Sequence, residues 1–234
     1  MSTTNKLFKP FAVFFILCIS LVACRSTKDN EPSLPKDLAE SIPFDFQTLQ
    51  KVPDYKWINQ TKTDSAWSLT YEGELFNDKP TEVFAYYASP ATLDKNRSAD
   101  EQYPGIVLIH GGGGTAFRVW VLEWAKRGYS AIAMDLGGSS PEAKQEFPWA
   151  TKSYRLDRGG PPQNDHHKFY QINEDFNQQW QFHAISNIIR AHSLLISFPE
   201  TDDKLTAVTG ISWGGYLTSI VSGIDHRFDF SVRV

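Results

Sequence analysis

Several features of other protein classes are scarce or missing in this sequence. It has two cysteines, Cys18 and Cys24, in 234 residues, which excludes a disulfide framework like that of small secreted domains. Lysine and arginine (23) are fewer than aspartate and glutamate (27), and they form no basic cluster. This balance argues against a nucleic-acid partner. The length suits one sizeable domain, and no internal repeat is present.

The chain also lacks an apolar run long enough to cross a bilayer. The run Phe11–Val22 is too short for a membrane-spanning helix, and Lys6 and Lys9 precede it. These features predict a secretory signal peptide over residues 1–23. The sequence Leu21-Val22-Ala23-Cys24 resembles the lipobox of bacterial lipoproteins, which implies cleavage before Cys24 and lipid on that cysteine. An ordinary signal peptide with a chance cysteine is the alternative.

These N-terminal signals predict a location outside the cytoplasm, on a bacterial membrane. The mature chain would be anchored through Cys24, and by the same resemblance Arg25, in place of Asp, favours the outer membrane. Residues 24–50 are polar and contain proline, so we expect a flexible tether there. The folded domain is expected over residues 51–234.

The strongest chemical signal is Gly210-Ile211-Ser212-Trp213-Gly214. It follows the apolar run 205–208 and opens a second apolar run with helical character. Strand, tight turn, serine and helix form the pattern of a nucleophile elbow, in which the turn lifts the serine Oγ above the sheet. Amides at the start of the helix then face the place where negative charge develops in acyl transfer. Ser212 is therefore the predicted nucleophile, and the N–H of Trp213 a predicted oxyanion donor.

A second motif, His110-Gly111-Gly112-Gly113-Gly114, supports this prediction. It ends the apolar run 105–109 and precedes a helical pattern. Such a loop supplies oxyanion-hole amides in hydrolases with an elbow serine, here from Gly112 and Gly113. A flexible turn or a phosphate loop is the alternative, but Thr115-Ala116-Phe117 does not continue a phosphate-binding motif.

Apolar runs alternate with helical patterns along the rest of the chain. Strands are predicted at 67–72, 82–87, 104–109, 130–134, 205–208 and 228–234, and helices at 117–127, 179–197 and from the elbow to 222. The first two strands would pair antiparallel, and the others would form a mostly parallel sheet with helices on both faces. Residues 136–178 are rich in glycine, proline and charge, and are expected to pass over the mouth of the site.

The residues after Ser212 do not supply the expected partners. In α/β-hydrolases an acid and then a histidine follow the serine. Asp225 and His226 follow it, but the intervening helix places them roughly 15 Å away at about 1.5 Å per residue, at the wrong end of the sheet. The sequence therefore predicts an α/β-hydrolase domain that lacks its last strands.

None of the six histidines is predicted to act as the base for Ser212. His110 is expected to be structural, and His183 and His192 are expected in the core or an interface. His166-His167 beside Asp165 lack a further ligand cluster, so no metal is expected. No cofactor is expected either.

From residue 67 onward the chain resembles the acetylxylan esterase and dienelactone-hydrolase-like group of α/β-hydrolases. The segments that carry the resemblance are 110–117, 131–138, 190–198 and 208–216. It implies an acyl-enzyme on Ser212, stabilised by amides of Trp213 and of the loop Gly111–Gly113. The substrate would be a small-molecule or carbohydrate ester. The family's acid and histidine have no counterparts in this sequence.

Two other functions stay open. The sequence Ser212-Trp213-Gly214-Gly215-Tyr216 also resembles prolyl-oligopeptidase-type serine peptidases, although too few residues precede the glycine loop for the propeller of that family. A catalytically incomplete lipoprotein that keeps the fold for binding is the third hypothesis, because the triad partners are missing.

Overall fold

The computed structural model describes residues 42–60, 66–94, 96–97, 101–141 and 153–234, which belong to a folded unit that begins at Ile42. The predicted signal peptide and Cys24 lie outside these residues. No helix within the described ranges is both long enough and apolar enough to cross a membrane.

The architecture is a twisted mixed sheet with seven strands in the described residues. The strands are β1 (Tyr55–Asn59), β2 (Trp67–Glu72), β3 (Glu82–Ala88), β4 (Tyr103–Ile109), β5 (Ser130–Met134), β8 (Thr201–Gly210) and β9 (Phe230–Arg233); a separate ribbon joins β6 (Ser139–Pro141) to β7 (Ser153–Arg155). Their order in the sheet is β1-β2-β3-β5-β4-β8-β9. The pairs β1–β2, β2–β3 and β3–β5 are antiparallel, whereas β5, β4, β8 and β9 run parallel to one another.

Helices cover both faces of the sheet, as predicted. The helices are α1 (Phe46–Leu49), α2 (Pro90–Leu93), α3 (Arg118–Lys126), α4 (Trp180–Leu195) and α5 (Trp213–Ile224); a π-helical turn covers His166–Tyr170 and a 3-10 turn covers Phe176–Gln178. On one face, Val107, Ile109 and Ile132 pack against α4 and α5. On the other, Ile106 and Leu108 pack against α3. Side chains alternate between faces along a strand, so β4 and β5 are buried on both sides.

The predicted strands and helices are confirmed, with small shifts at their ends. The fifth strand has the predicted bounds, and the helix predicted at 117–127 is α3. Strand β1 was not predicted. It pairs with β2 at the edge of the sheet.

The start of the folded domain differs from the predicted start at residue 51. Leu49 lies in the core, and the ring of Phe44 stacks on Phe182 of α4 at 5.4 Å. The last part of the predicted tether, from Ile42 on, therefore belongs to the domain. Two aromatic rings and a leucine in this short segment bury enough apolar surface to order it.

Candidate active site at the start of helix α5

Ser212 lies at the junction of β8 and α5 in an unusual backbone conformation. Its φ of 56° and ψ of −117° fall in a region that L-residues rarely occupy, at a cost of about 1–3 kcal/mol. Two hydrogen bonds hold it there: the Ser212 N–H donates to Val234 O at 2.7 Å, and its carbonyl accepts from the Tyr216 N–H at 3.0 Å. The residue is exposed, so its hydroxyl is open to solvent.

Glycines on both sides of Ser212 permit the tight turn. A methyl group on Gly210 would lie 2.5 Å from the backbone of Gly214, and one on Gly214 would lie 2.2 Å from Ile109 O. The start of α5 therefore packs directly on the carboxyl end of β4. Any side chain at these two positions would push the helix off the strand.

The glycine loop after β4 packs against this turn. A methyl group on Gly112 would lie 2.5 Å from Cδ1 of Trp213, and Gly113 has a left-handed φ of 74°. The Gly114 N–H donates to Gly111 O at 3.0 Å and closes the loop. Among the described residues, the N–H groups of Gly112 and Gly113 donate no hydrogen bond. They are thus free to bind a ligand.

The N–H of Trp213 likewise donates no hydrogen bond to any described residue. Trp213 is the first residue of α5, where backbone N–H groups have no partner inside the helix. The helix dipole adds partial positive charge at the same end. Together these amides can bind an oxygen that carries negative charge next to the Ser212 hydroxyl.

Buried hydrogen bonds of the His110 ring hold the start of the glycine loop in place. His110 Nε2 accepts from the Leu136 N–H at 3.0 Å, and its Nδ1 lies 2.8 Å from Gly111 O. Burial lowers the pKa of His110, which favours the neutral ring. Both ring nitrogens are occupied by backbone groups, so His110 has the structural place expected for it.

The carboxylate of Asp135 organises the loop after β5. It accepts hydrogen bonds from the Thr115 hydroxyl at 2.7 Å and from the N–H groups of Gly137 and Ser139 at 2.8 Å each. Thr115 follows the glycine loop directly, so Asp135 ties that loop to the adjacent one. The sequence prediction did not include this residue. Its position at the carboxyl end of a buried strand is the signal that could have indicated it.

The segment 163–169 packs against both parts of the candidate site. Gln163 Nε2 donates to Gly114 O, and the ring of Phe169 meets the indole of Trp213 edge to face at 5.5 Å. The ammonium of Lys168 lies 5.1 Å from the centre of the same indole. This described part of the predicted excursion lies beside the site, as expected. Residues 142–152 lie outside the described residues.

No histidine makes a hydrogen bond to Ser212 in the described residues, which include all six. His183 Nε2 lies 2.7 Å from Asn177 O, and His167 Nδ1 lies 2.8 Å from Asn164 Oδ1. His166 packs on His167, and His226 is exposed after α5. The structure therefore brings Ser212 and the amides together, but it brings no base to the serine.

His192 and Asp225 form a buried pair at the far end of α5. His192 Nδ1 lies 3.0 Å from Asp225 Oδ2, and its Nε2 lies 3.0 Å from the Thr206 hydroxyl. Arg227 donates to the same carboxylate at 2.7 and 2.8 Å. Asp225 caps the end of α5, one helix length from Ser212, so this pair stabilises the fold and cannot reach the serine. Within the described ranges, no group of three or more potential metal ligands is present.

The chain is similar to known proteins in sequence and in fold. The sequence pattern of the family described as acetyl xylan esterase (AXE1) matches residues 26–232. An acetyl esterase of Xylanibacter ruminicola, Axe7A, is 25% identical over 159 residues, which are 66% of this chain and 32% of that protein.

Solved structures show the same fold. The acetyl xylan esterase from a Paenibacillus species superposes with a TM-score of 0.55 and 22% identity over 79% of this chain and 55% of its own. Acetyl xylan esterase 1 from a Thermoanaerobacterium species superposes with a TM-score of 0.54 and 16% identity. The match covers 79% of this chain and 54% of its own. The chain thus spans about half of these structures and about a third of the curated relative. It has the α/β-hydrolase fold, and because the family pattern covers most of its length, it belongs to the acetyl xylan esterase family.

Proposed function

We propose that the protein hydrolyses acetyl esters of carbohydrates, with Ser212 as the nucleophile. The observation that carries the proposal is the strained, exposed backbone of Ser212 among the unpaired amides of Gly112, Gly113 and Trp213. Strain of this kind persists only where the surrounding structure enforces it, and it is concentrated at functional sites. The substrate class comes from the family and from the names of its relatives.

The proposed reaction is acyl transfer through the serine. Ser212 Oγ attacks the acetyl carbonyl carbon as its proton passes to a base, and the carbonyl oxygen takes up negative charge. The free amides bind that oxygen more tightly than the neutral carbonyl, which lowers the barrier. The bond to the sugar oxygen then breaks and that oxygen takes the proton. Water attacks the acetyl-serine in turn and releases acetate.

A second candidate function is binding without catalysis. The observation that favours it is that none of the six histidines makes a hydrogen bond to Ser212 in the described residues. A serine hydroxyl without a base stays protonated and reacts poorly. A protein of this kind would recognise acetylated carbohydrate through the same amides and release it unchanged.

The test is turnover of p-nitrophenyl acetate by residues 25–234. We expect Ser212→Ala to lose the enzymatic part of the rate and Ser219→Ala to keep it. Ser219 is the matched control because it lies in the same helix, where its hydroxyl bonds Gly215 O at 3.0 Å. Equal turnover by Ser212→Ala would overturn the proposal.

The size of the rate separates the two candidate functions. Without a base, the oxyanion site and binding supply on the order of 10³ to 10⁴ over water. Turnover near a typical 10 per second would show that a base acts within this chain. It would also show that our placement of the six histidines is incomplete.

We also propose that the protein acts outside the cytoplasm, anchored by lipid on Cys24. The support is the sequence Leu21-Val22-Ala23-Cys24 after a short apolar run. Expression in a bacterium with labelled palmitate should label the protein, and Cys24→Ser should abolish the label. Equal labelling of the variant would refute the anchor.

A further inference from the structure

Lys168 is a charged side chain in an unusual place. It belongs to the π-helical turn His166–Tyr170, and its side chain is 9% exposed. Its ammonium lies over the indole of Trp213, at 5.1 Å from the ring centre, and 5.8 Å from that of Phe169. The cation is therefore next to the residue that follows Ser212.

The charge of Lys168 is poorly compensated. The acidic group nearest to it in the described residues is Asp165, at 3.6 Å, and that side chain is 80% exposed, so solvent screens the pair. The ammonium has three N–H donors, yet it makes no hydrogen bond to any described residue. The apolar stem of Lys168 is thus mostly covered, whereas its ammonium has no hydrogen-bonded anion and can bind one.

The surroundings add positive charge. Burial lowers the pKa of the adjacent His167, and the nearby side chains of His166 and Arg155 lower it further. Arg155 donates to the carbonyls of Gly137 and Gly159 at 2.7 Å and so is bound to neutral groups. In the described residues no carboxylate lies within hydrogen-bonding distance of either cation, although the charge of Asp135 acts on Arg155 at longer range.

A second unpaired group lies in the same segment. Gln163 Nε2 donates to Gly114 O in the glycine loop, whereas its Oε1 is buried and has no hydrogen-bond partner in the described residues. Segment 163–169 is thus fixed to the glycine loop through Gln163 and places an unpaired cationic donor beside Trp213. An acidic carbohydrate offers a carboxylate for that donor.

We propose that segment 163–169 forms the subsite for the alcohol part of the ester, and that Lys168 selects alcohols that carry a carboxylate, such as acetylated uronic-acid sugars. The inference rests on the proposed function, because it takes Ser212 as the reacting group. The carboxylate would pair with the ammonium beside the indole of Trp213.

The test compares two acetyl esters of equal shape, 4-acetoxybenzoate and 4-acetoxybenzamide. We expect the ratio of their kcat/KM values, acid over amide, to fall on the order of tenfold in Lys168→Met, as for loss of a charged hydrogen bond. Methionine keeps the apolar stem against Trp213. Lys168→Arg keeps the charge and should keep the ratio, as should Lys126→Met, whose ammonium is exposed and pairs with Glu123 at 3.2 Å. Comparing variants removes differences in intrinsic reactivity between the two esters.

Binding of the products provides a readout that does not need turnover. The Kd values of 4-hydroxybenzoate and 4-hydroxybenzamide, from ligand-observed NMR titration, should show the same dependence on Lys168 in the Ser212→Ala background. If Ser212→Ala does not affect hydrolysis, the proposed function fails and this titration alone decides the subsite. Equal ratios in the unaltered protein and Lys168→Met, or equal binding of acid and amide, would overturn the inference.

Discussion

Replacing Gly214 with alanine should destabilise the protein although alanine is the better helix former. The added methyl group would lie 2.2 Å from Ile109 O and 2.8 Å from His110 O. Both atoms belong to the backbone at the end of β4, so neither can rotate away as a side chain would. The helix must move off the sheet, or the strand must bend.

The magnitude follows from two opposing effects. Alanine in place of glycine inside a helix gains up to about 1 kcal/mol. Overpacking a close contact costs about 1–3 kcal/mol, and the rigid backbone places Gly214 at the upper end of that range. We therefore expect a net loss of about 2 kcal/mol in the free energy of unfolding.

Gly223 provides the matched control in the same helix. A methyl group there meets no atom within 4 Å. Gly223→Ala should thus stabilise the protein by about 0.5–1 kcal/mol through the loss of unfolded-state entropy. The two variants differ only in what the methyl group touches.

Urea unfolding followed by circular dichroism checks the prediction. With a slope near the upper end of 1–3 kcal/mol per M, the midpoints of the two variants should differ by about 1 M. If Gly214→Ala were as stable as Gly223→Ala, the close packing of α5 on β4 would be refuted. An unchanged slope would show that both variants unfold from a native state of the same compactness.

Three further predictions test other contacts. Asp135→Asn should lower the free energy of unfolding by about 2 kcal/mol, because the two N–H bonds to Oδ1 would lose their charged acceptor and an amide nitrogen would replace Oδ2, which accepts from the Thr115 hydroxyl. Unaltered urea unfolding would contradict the network. Burial lowers the pKa of His192 in the folded protein, so as the pH falls the unfolded chain takes up a proton at this histidine first. The free energy of unfolding should therefore fall as the pH drops below about 6.5, by less than about 1.4 kcal/mol per pH unit. His192→Gln should reduce this pH dependence. Stability that rises on acidification would be the opposite result. Val232→Lys on the exposed edge strand β9 should lower concentration-dependent association in light scattering, and no change would show that this edge does not associate.

The predictable part of the fold is the part with strong local patterns. Strand β5 consists entirely of buried residues, and α4 has a long apolar face, so both could be found from periodicity alone. Strand β1 could not, because its residues alternate weakly and it exists through pairing with β2. Helix α1 has four residues and depends on Leu49 reaching the core.

The residues of the candidate site also differ in how well the sequence predicts them. Ser212 and the glycine loop belong to short motifs whose chemistry can be predicted from sequence. Asp135 follows the buried strand β5, a position typical of site residues, so a sequence signal for it exists. Gln163 and Lys168 lie near the site only because of tertiary contacts, and nothing in their neighbouring residues shows what they touch. The importance of these two residues therefore could not be predicted without the structure.

The order of the strands in the sheet also affects how the chain reaches its folded state. Strands β1, β2 and β3 pair with near neighbours in sequence, whereas β4 pairs with β8, so that Gly105 meets Thr206 about 100 residues later. Closing so long a loop costs entropy before any contact repays it, so this pairing should form late. The turn at Ser212 lies between β8 and α5, and it is held by contacts to β4. The reactive geometry would thus be among the last features to form, and a chain emerging from the ribosome would carry no prematurely shaped site.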